Sequence, residues 1–165
     1  MDAQTAAIDP ALATPAALDK NTHHSPIKVL LVDDSKTIRH SARQILEEAG
    51  CHITVAEDGF DALCRIAAVR PDIVFMDIMM PGLDGFQACA LIRASPEFGT
   101  TPVVLVSAND GLLDRARAEL AGARRYILKP FRKNDLLGAI TALVSRSVCK
   151  DKEDKEQASG AHPGD

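Results

Sequence analysis

The amino-acid sequence predicts an α/β domain: a doubly wound, five-stranded parallel sheet with helices on both faces. Two observations lead there. Between residues 28 and 146, short apolar runs alternate five times with stretches of helical period, and strands that alternate with helices form parallel sheets covered on both sides. Four of those runs also end directly in residues fit for polar chemistry, namely Asp33-Asp34, Asp77, Ser107 and Lys129. The strand ends of a parallel sheet meet at one edge, and doubly wound folds bind their ligands there.

The elements follow in order. Residues 29–32 form a short apolar strand closed by Asp33-Asp34. A helix comes next, with Ile38, Ala42, Ile45, Leu46 and Ala49 on one face and Gly50 where a left-handed cap belongs. Cys51, Ile53 and Val55 alternate, as on a half-exposed edge strand. Asp58-Gly59 turns the chain into a helix striped by Ala62, Leu63, Ile66 and Ala67, which stops before Pro71. Residues 73–76 read as a buried strand ending at Asp77. Pro81-Gly82 marks a loop, and Asp84 caps a helix carrying Phe86, Cys89, Ala90 and Arg93. Residues 103–106 are a further buried strand, ending at Ser107 and broken by Asn109-Asp110-Gly111. A helix from about 112 to 120 ends near Gly122. Residues 126–128 are a last short strand before Lys129-Pro130, and Leu136, Leu137, Ile140, Leu143 and Val144 stripe the final helix.

Composition narrows the function. The 165 residues are 46% hydrophobic and 25% charged, which suits one soluble domain of ordinary size. A net charge of −4 argues against general affinity for nucleic acid or anionic membrane. No stretch approaches the ~18 consecutive apolar residues of a spanning helix, and the first residues lack a signal-peptide pattern. The expected location is therefore cytoplasmic, with no membrane insertion. Cys51, Cys64, Cys89 and Cys149 show no metal spacing. Three of them fall in apolar patterns and read as reduced core thiols. Residues 1–26 and 150–165 read as flexible tails flanking a domain at 27–149, being poor in large apolar side chains. His23-His24 on such a tail make a poor metal site, and the charged run at 151–156 reads as solvated chain.

The strand ends define the chemistry. Any one of them has a bland reading, since a lone Asp after a strand is commonly a helix cap and a lone Lys-Pro a turn. Several together are another matter. Two or three carboxylates at one sheet edge repel one another, which raises their proton affinity or recruits a cation. Oxygen ligands with room for water suit Mg²⁺ rather than zinc. A hard cation, an ammonium and a hydroxyl are what phosphoryl oxygens require around them, and a carboxylate can serve as nucleophile to form an aspartyl phosphate.

The segments Val32-Asp33-Asp34-Ser35, Asp77-Ile78-Met79-Met80-Pro81-Gly82, Asp84-Gly85 and Tyr126-Ile127-Leu128-Lys129-Pro130-Phe131 resemble the motif set of bacterial response-regulator receiver domains, whose fold is the CheY-like, flavodoxin-like one. The resemblance covers all of 28–146. It implies that Asp77 accepts a phosphoryl group from the phosphohistidine of a histidine kinase. It implies that Asp34 and Asp77 hold Mg²⁺, with Asp33 acting largely through water and the Met79 backbone carbonyl completing the site. Lys129 would pair with the phosphoryl oxygen and Ser107 would hydrogen-bond it. Tyr126 would be the switch aromatic, and the Lys129–Pro130 bond would be cis. Further stretches, Asp34-Ser-Lys-Thr-Ile-Arg39, Asp58-Gly-Phe-Asp-Ala-Leu63, residues 84–92 and Leu136-Leu-Gly-Ala-Ile140, resemble single-domain regulators of type IV pilus twitching motility. The long N-terminal tail departs from that pattern. So does Arg132, which stands where relatives often place a Ser or Thr cap; Asn134 and Asp135 are candidates for part of that cap.

Three functions compete. A receiver without an output domain fits best, because after Arg146 only a short polar tail remains and the output must be a protein contact. The expected partners are a CheA-like histidine kinase and a downstream protein. The latter would dock on the face of the fourth helix, fifth strand and fifth helix, around Leu112, Arg115, Arg125 and Tyr126. A phosphatase with an aspartyl nucleophile would want a second acid two residues after it, and Met79 stands there; an apolar side chain cannot protonate a leaving group. A degenerate receiver that binds without phosphorylation would lack an acid or the Lys, and none is missing.

Overall fold

The structure, a computed structural model, describes residues 25–144. Most of both expected tails, with His23-His24, Cys149 and the charged run at 151–156, lies outside the described residues. The elements run β1 (Lys28–Val32), α1 (Lys36–Glu48), β2 (His52–Ala56), α2 (Gly59–Val69), β3 (Ile73–Asp77), α3 (Gly85–Ala94), β4 (Val103–Ser107), α4 (Leu112–Leu120) and β5 (Arg125–Leu128). A fifth helix, α5, occupies residues 133–144. All strand pairs are parallel, in the order β2-β1-β3-β4-β5.

The core explains why the inner strands read as continuous apolar runs. Along β1, Leu30 and Val32 face one side and Val29 and Leu31 the other, and all four are buried. One face packs against α2, α3 and α4 through Ala62, Ile66, Ala88, Cys89, Ile92 and Ala118. The other packs against α1 and α5 through Ala42, Leu46, Leu136, Ala139 and Ile140. A sheet covered on both faces has no polar side to show. β2 lies at the edge and keeps Ile53 and Val55 only half-buried, as its alternating pattern predicts.

The helix ends follow from local chemistry. Ser35, Asp58 and Asp84 each accept a hydrogen bond at a helix start, from the N–H groups of Ile38, Asp61 and Gln87. Gln87 returns a bond to the Asp84 N–H, closing a capping box. After α1, Gly50 adopts φ +87°. Its N–H and that of Cys51 then reach back to the carbonyls of Glu47 and Leu46, a paired termination that needs the left-handed residue. At the start of α5, Asp135 accepts from the Arg132 N–H at 2.7 Å, supplying the expected partial cap.

Four details differ from the sequence reading. Asp58 is the N-cap of α2 and Gly59 its first residue, so the pair starts the helix directly rather than forming a separate turn. On α2 the inward line is Gly59, Ala62 and Ile66, which leaves Ala67 exposed. Cys64 is exposed too, because it lies two residues, about 200° of rotation, from Ala62. Of the expected core thiols, Cys51 and Cys89 are buried. Burial raises both, Cys89 to about 11 against the opposing pull of Arg93. On α3 the buried set is Gly85, Phe86, Ala88, Cys89 and Ile92, whereas Ala90 is exposed and Arg93 half-exposed. Gly85 sets that phase. A Cβ there would stand 2.3 Å from the Asp77 carbonyl oxygen and 2.7 Å from the Ile78 Cα, so only glycine lets the helix start against the end of β3.

Candidate functional site

The order of strands reverses between β1 and β3, and the ends of these two neighbours carry the acidic residues. Val32 pairs with Met76, so Asp33 and Asp77 emerge side by side. Both are buried, at 2% and 5% exposure, whereas Asp34 is exposed. One carboxylate oxygen from each of Asp33, Asp34 and Asp77 can be chosen so that all three lie within 4.8 Å of one another. Such a set of hard, anionic oxygens with one open side fits a hydrated divalent cation of the Mg²⁺ kind.

Lys129, just beyond β5, reaches across the end of β4 to this cluster. Its Nζ donates to Asp33 Oδ2 at 2.8 Å and to Asp77 Oδ1 at 3.0 Å. Burial alone would lower the Lys129 ammonium's proton affinity. The two carboxylates outweigh that effect, and the net direction is up. Asp77 shifts up for the complementary reason: burial disfavours its charge and Asp33 and Asp34 repel it, while Lys129 only partly compensates. The Lys129–Pro130 bond is cis. The Lys129 N–H donates to the Ser107 carbonyl at 2.7 Å, joining β5's exit to that of β4.

Ser107 is 2% exposed at the end of β4. Its Oγ accepts from the Asn109 N–H at 3.0 Å, which leaves its own O–H able to donate. Tyr126 stands apart from the carboxylates. Its half-buried ring packs on the core beneath α4, with the Arg115 guanidinium 5.1 Å from its centroid. Its hydroxyl donates to the Asn109 carbonyl at 2.6 Å. Met79 is 75% exposed on the loop after β3. The structure thus brings Asp33, Asp34, Asp77 and Lys129 together, sets Ser107 on the adjoining strand end and places Tyr126 behind it.

One residue beside the site has no site role in the sequence reading. Arg39 on α1 is buried, and its guanidinium donates to the Asp33 backbone carbonyl at 2.5 Å and to Glu57 Oε1 at 3.0 Å. A signal existed: Arg39 lies three residues before Ala42, in phase with the apolar stripe, where a charge needs a reason.

Asp33 uses every polar backbone and side-chain group it has. Oδ1 accepts from the Ser35 N–H at 2.8 Å, Oδ2 from Lys129, the carbonyl from Arg39, and its N–H donates to the Ala56 carbonyl at 3.2 Å. No buried side-chain nitrogen or oxygen among the described residues lacks a partner.

Comparison with known proteins places this arrangement. Protein PilG of Pseudomonas aeruginosa is 52% identical over 118 residues, covering 72% of this chain and 87% of PilG. Response regulator MprA of Mycolicibacterium vanbaalenii is 37% identical over 126 residues, covering 76% of this chain but 54% of MprA, so the chain spans about half that relative. Among solved structures, chemotaxis response regulator CheY4 of Vibrio cholerae superposes with a TM-score of 0.69 at 28% identity, over 72% of this chain and 99% of CheY4. The receiver domain of Francisella response regulator 1452 gives 0.69 at 34% identity, over 74% and 99%. The family model for the response regulator receiver domain matches residues 29–141, from the first strand into α5. The doubly wound sheet is thus that of a family already defined, and this chain belongs to the response regulator receiver domain family.

Proposed function

We propose that this protein is a phosphorylation-controlled signalling receiver in which Asp77 accepts a phosphoryl group from a histidine kinase of the CheA type. The observation that carries this reading is the Lys129 ammonium bridging Asp33 and Asp77 at the ends of the two central strands. Asp77 is buried there, at the end of a fully buried strand, and Lys129 engages one of its oxygens. The other oxygen attacks phosphorus, an O–P bond forms, and the P–N bond of the phosphohistidine breaks with its electron pair returning to the imidazole. Lys129 then moves onto a phosphoryl oxygen and Ser107 donates its O–H to another.

Asp34, Asp77 and the Met79 backbone carbonyl would hold Mg²⁺. Both Asp33 carboxylate oxygens are already engaged, which supports a role for Asp33 through water. When bound, the ion offsets the crowded negative charge of carboxylates and phosphoryl group. The chain turns over no substrate other than its own phosphoryl group. A phosphatase reading is disfavoured because Met79, two residues after Asp77, has no proton to give.

The likeness to PilG supports a cytoplasmic role in type IV pilus twitching motility, with a downstream protein docking on the face of α4, β5 and α5. Phosphotransfer tests the reading. A histidine-phosphorylated kinase domain mixed with the full chain and Mg²⁺ should lose its label to the chain. Retention of the label on the kinase refutes the acceptor role. Replacement of the native gene by an Asp77→Asn allele should abolish twitching, and unchanged twitching refutes the pathway.

A further inference from the structure

Four polar or charged residues are buried among the described residues: Asp33, Arg39, Asp77 and Ser107. Three sit at the strand ends. The fourth, Arg39, comes from the second turn of α1 and touches no carboxylate of the cluster in a hydrogen bond; it holds backbone. The carbonyl it grips belongs to the peptide that joins Asp33 to Asp34. The N–H on the other side of Asp33 is held by Ala56 at the end of β2. The peptide units on both sides of Asp33 are therefore fixed, one by a neighbouring strand and one by the Arg39 side chain. The peptide after Asp34 is anchored as well, through the Ser35 N–H on Asp33 Oδ1 at 2.8 Å, so the backbone on both sides of Asp34 is held and the direction of its Cα–Cβ bond is restricted, while its side-chain torsions stay free.

Glu57 engages the other terminal nitrogen of the guanidinium. It is 69% exposed in its side chain and sits just after β2, where it pairs with Arg39 Nη2 at 3.0 Å. One planar fork thus spans two loops, a task that a single ammonium cannot duplicate.

We propose that Arg39 is a positioning residue for the divalent-cation site: by clamping the Asp33–Asp34 peptide it makes the Asp34 carboxylate converge with Asp77. The inference rests on the Mg²⁺ reading given above. It also carries a sign that separates it from simple electrostatics. A guanidinium near three carboxylates repels a cation, so removing it should tighten Mg²⁺ binding if charge alone matters. Removing a clamp should weaken it, by about 10-fold on the pattern of residues that orient metal ligands.

The test is Mg²⁺ titration of the full chain, followed by amide NMR shifts at Asp34 and Asp77, for the parent protein, Arg39→Ala, Arg39→Lys and Glu57→Gln. The expected result is binding about 10-fold weaker in Arg39→Ala. Arg39→Lys keeps the charge but not the fork, and should fall between that variant and the parent. Glu57→Gln keeps the carbonyl contact and changes only an exposed, screened charge, so it should stay within about 2-fold of the parent. The Asp34 amide should also exchange faster with solvent in Mg²⁺-free Arg39→Ala than in the parent. Equal or tighter binding in Arg39→Ala overturns the proposal. If that variant does not fold, parent-like affinity and Asp34 exchange in Arg39→Lys overturn it. A parent protein with no Mg²⁺ response at Asp34 and Asp77 instead overturns the metal site itself.

Discussion

The Tyr126 hydroxyl is tied to the Asn109 carbonyl at 2.6 Å, and the Asn109 N–H is tied in turn to Ser107 Oγ at 3.0 Å. The Tyr126 hydroxyl is thus one end of a two-bond path to the strand-end serine. The Asn109 side chain extends this path, donating to Asp114 in the first turn of α4 at 2.6 Å. Asn109 thus joins Ser107, Tyr126 and α4 in one hydrogen-bonded network.

Truncating the first link should uncouple the path. Ser107→Ala should still be phosphorylated on Asp77, but the phosphate-dependent shift of amide signals around Tyr126 should be largely lost. Phosphorylation biases two states only through contacts that differ between them, and Ser107 supplies one. Parent-like shifts in the variant would remove Ser107 from the relay.

Asp77 should also carry a pH signature. Its folded-state proton affinity is raised, so protonation favours the fold. That contribution is full below the ordinary carboxyl range and is lost as pH rises through the folded pKa. At neutral pH the ionised carboxylate is a net cost, and Asp77→Asn should be more stable than the parent by on the order of 1 kcal/mol. Thermal melts across acid and neutral pH check this. The difference should shrink as pH falls through the Asp77 titration, and a constant or widening gap is inconsistent with the raised affinity.

A direct ligand should matter more than any residue that orients it. Asp34→Ala should weaken Mg²⁺ binding by at least about 10-fold in calorimetric titration, taking outer-shell losses as the lower bound. Its exposed side chain has little to do with the core, so the melting temperature without Mg²⁺ should change little.

Among the described residues, the two apolar cores draw on Ile27 through Val144. A chain trimmed to residues 27–149 should keep both its melting temperature and its phosphorylation. A loss of either would assign a role to residues 1–26 or 150–165.

Much of this was legible in the sequence because the signals were local. Residues 73–77 and 103–107 read as strands because both faces are covered and both must be apolar. The convergence of Asp33, Asp77 and Lys129 followed from strand ends sharing one edge, a property of topology rather than of side-chain detail. What escaped depended on contacts between elements. The phase of α3 is set by Gly85 meeting the Asp77 carbonyl, so Ala88 and Ile92 turn inward and Ala90 outward. Arg39 was hidden for the same reason: its partners lie on two other segments, and its own helix shows only a charge among apolar neighbours. The Tyr126 contact depends on the path of the Asn109–Gly111 loop, which no periodicity encodes.

The central claim is that Asp77 is the phosphoryl acceptor, and intact mass spectrometry after incubation with a small phosphodonor tests it most directly. With Mg²⁺ present, the parent chain should gain the mass of one phosphoryl group, and the gain should disappear when the cation is chelated. Asp77→Asn, folded by circular dichroism, should gain nothing. Undiminished phosphorylation of Asp77→Asn would contradict the account, because the acceptor would then lie elsewhere in the chain.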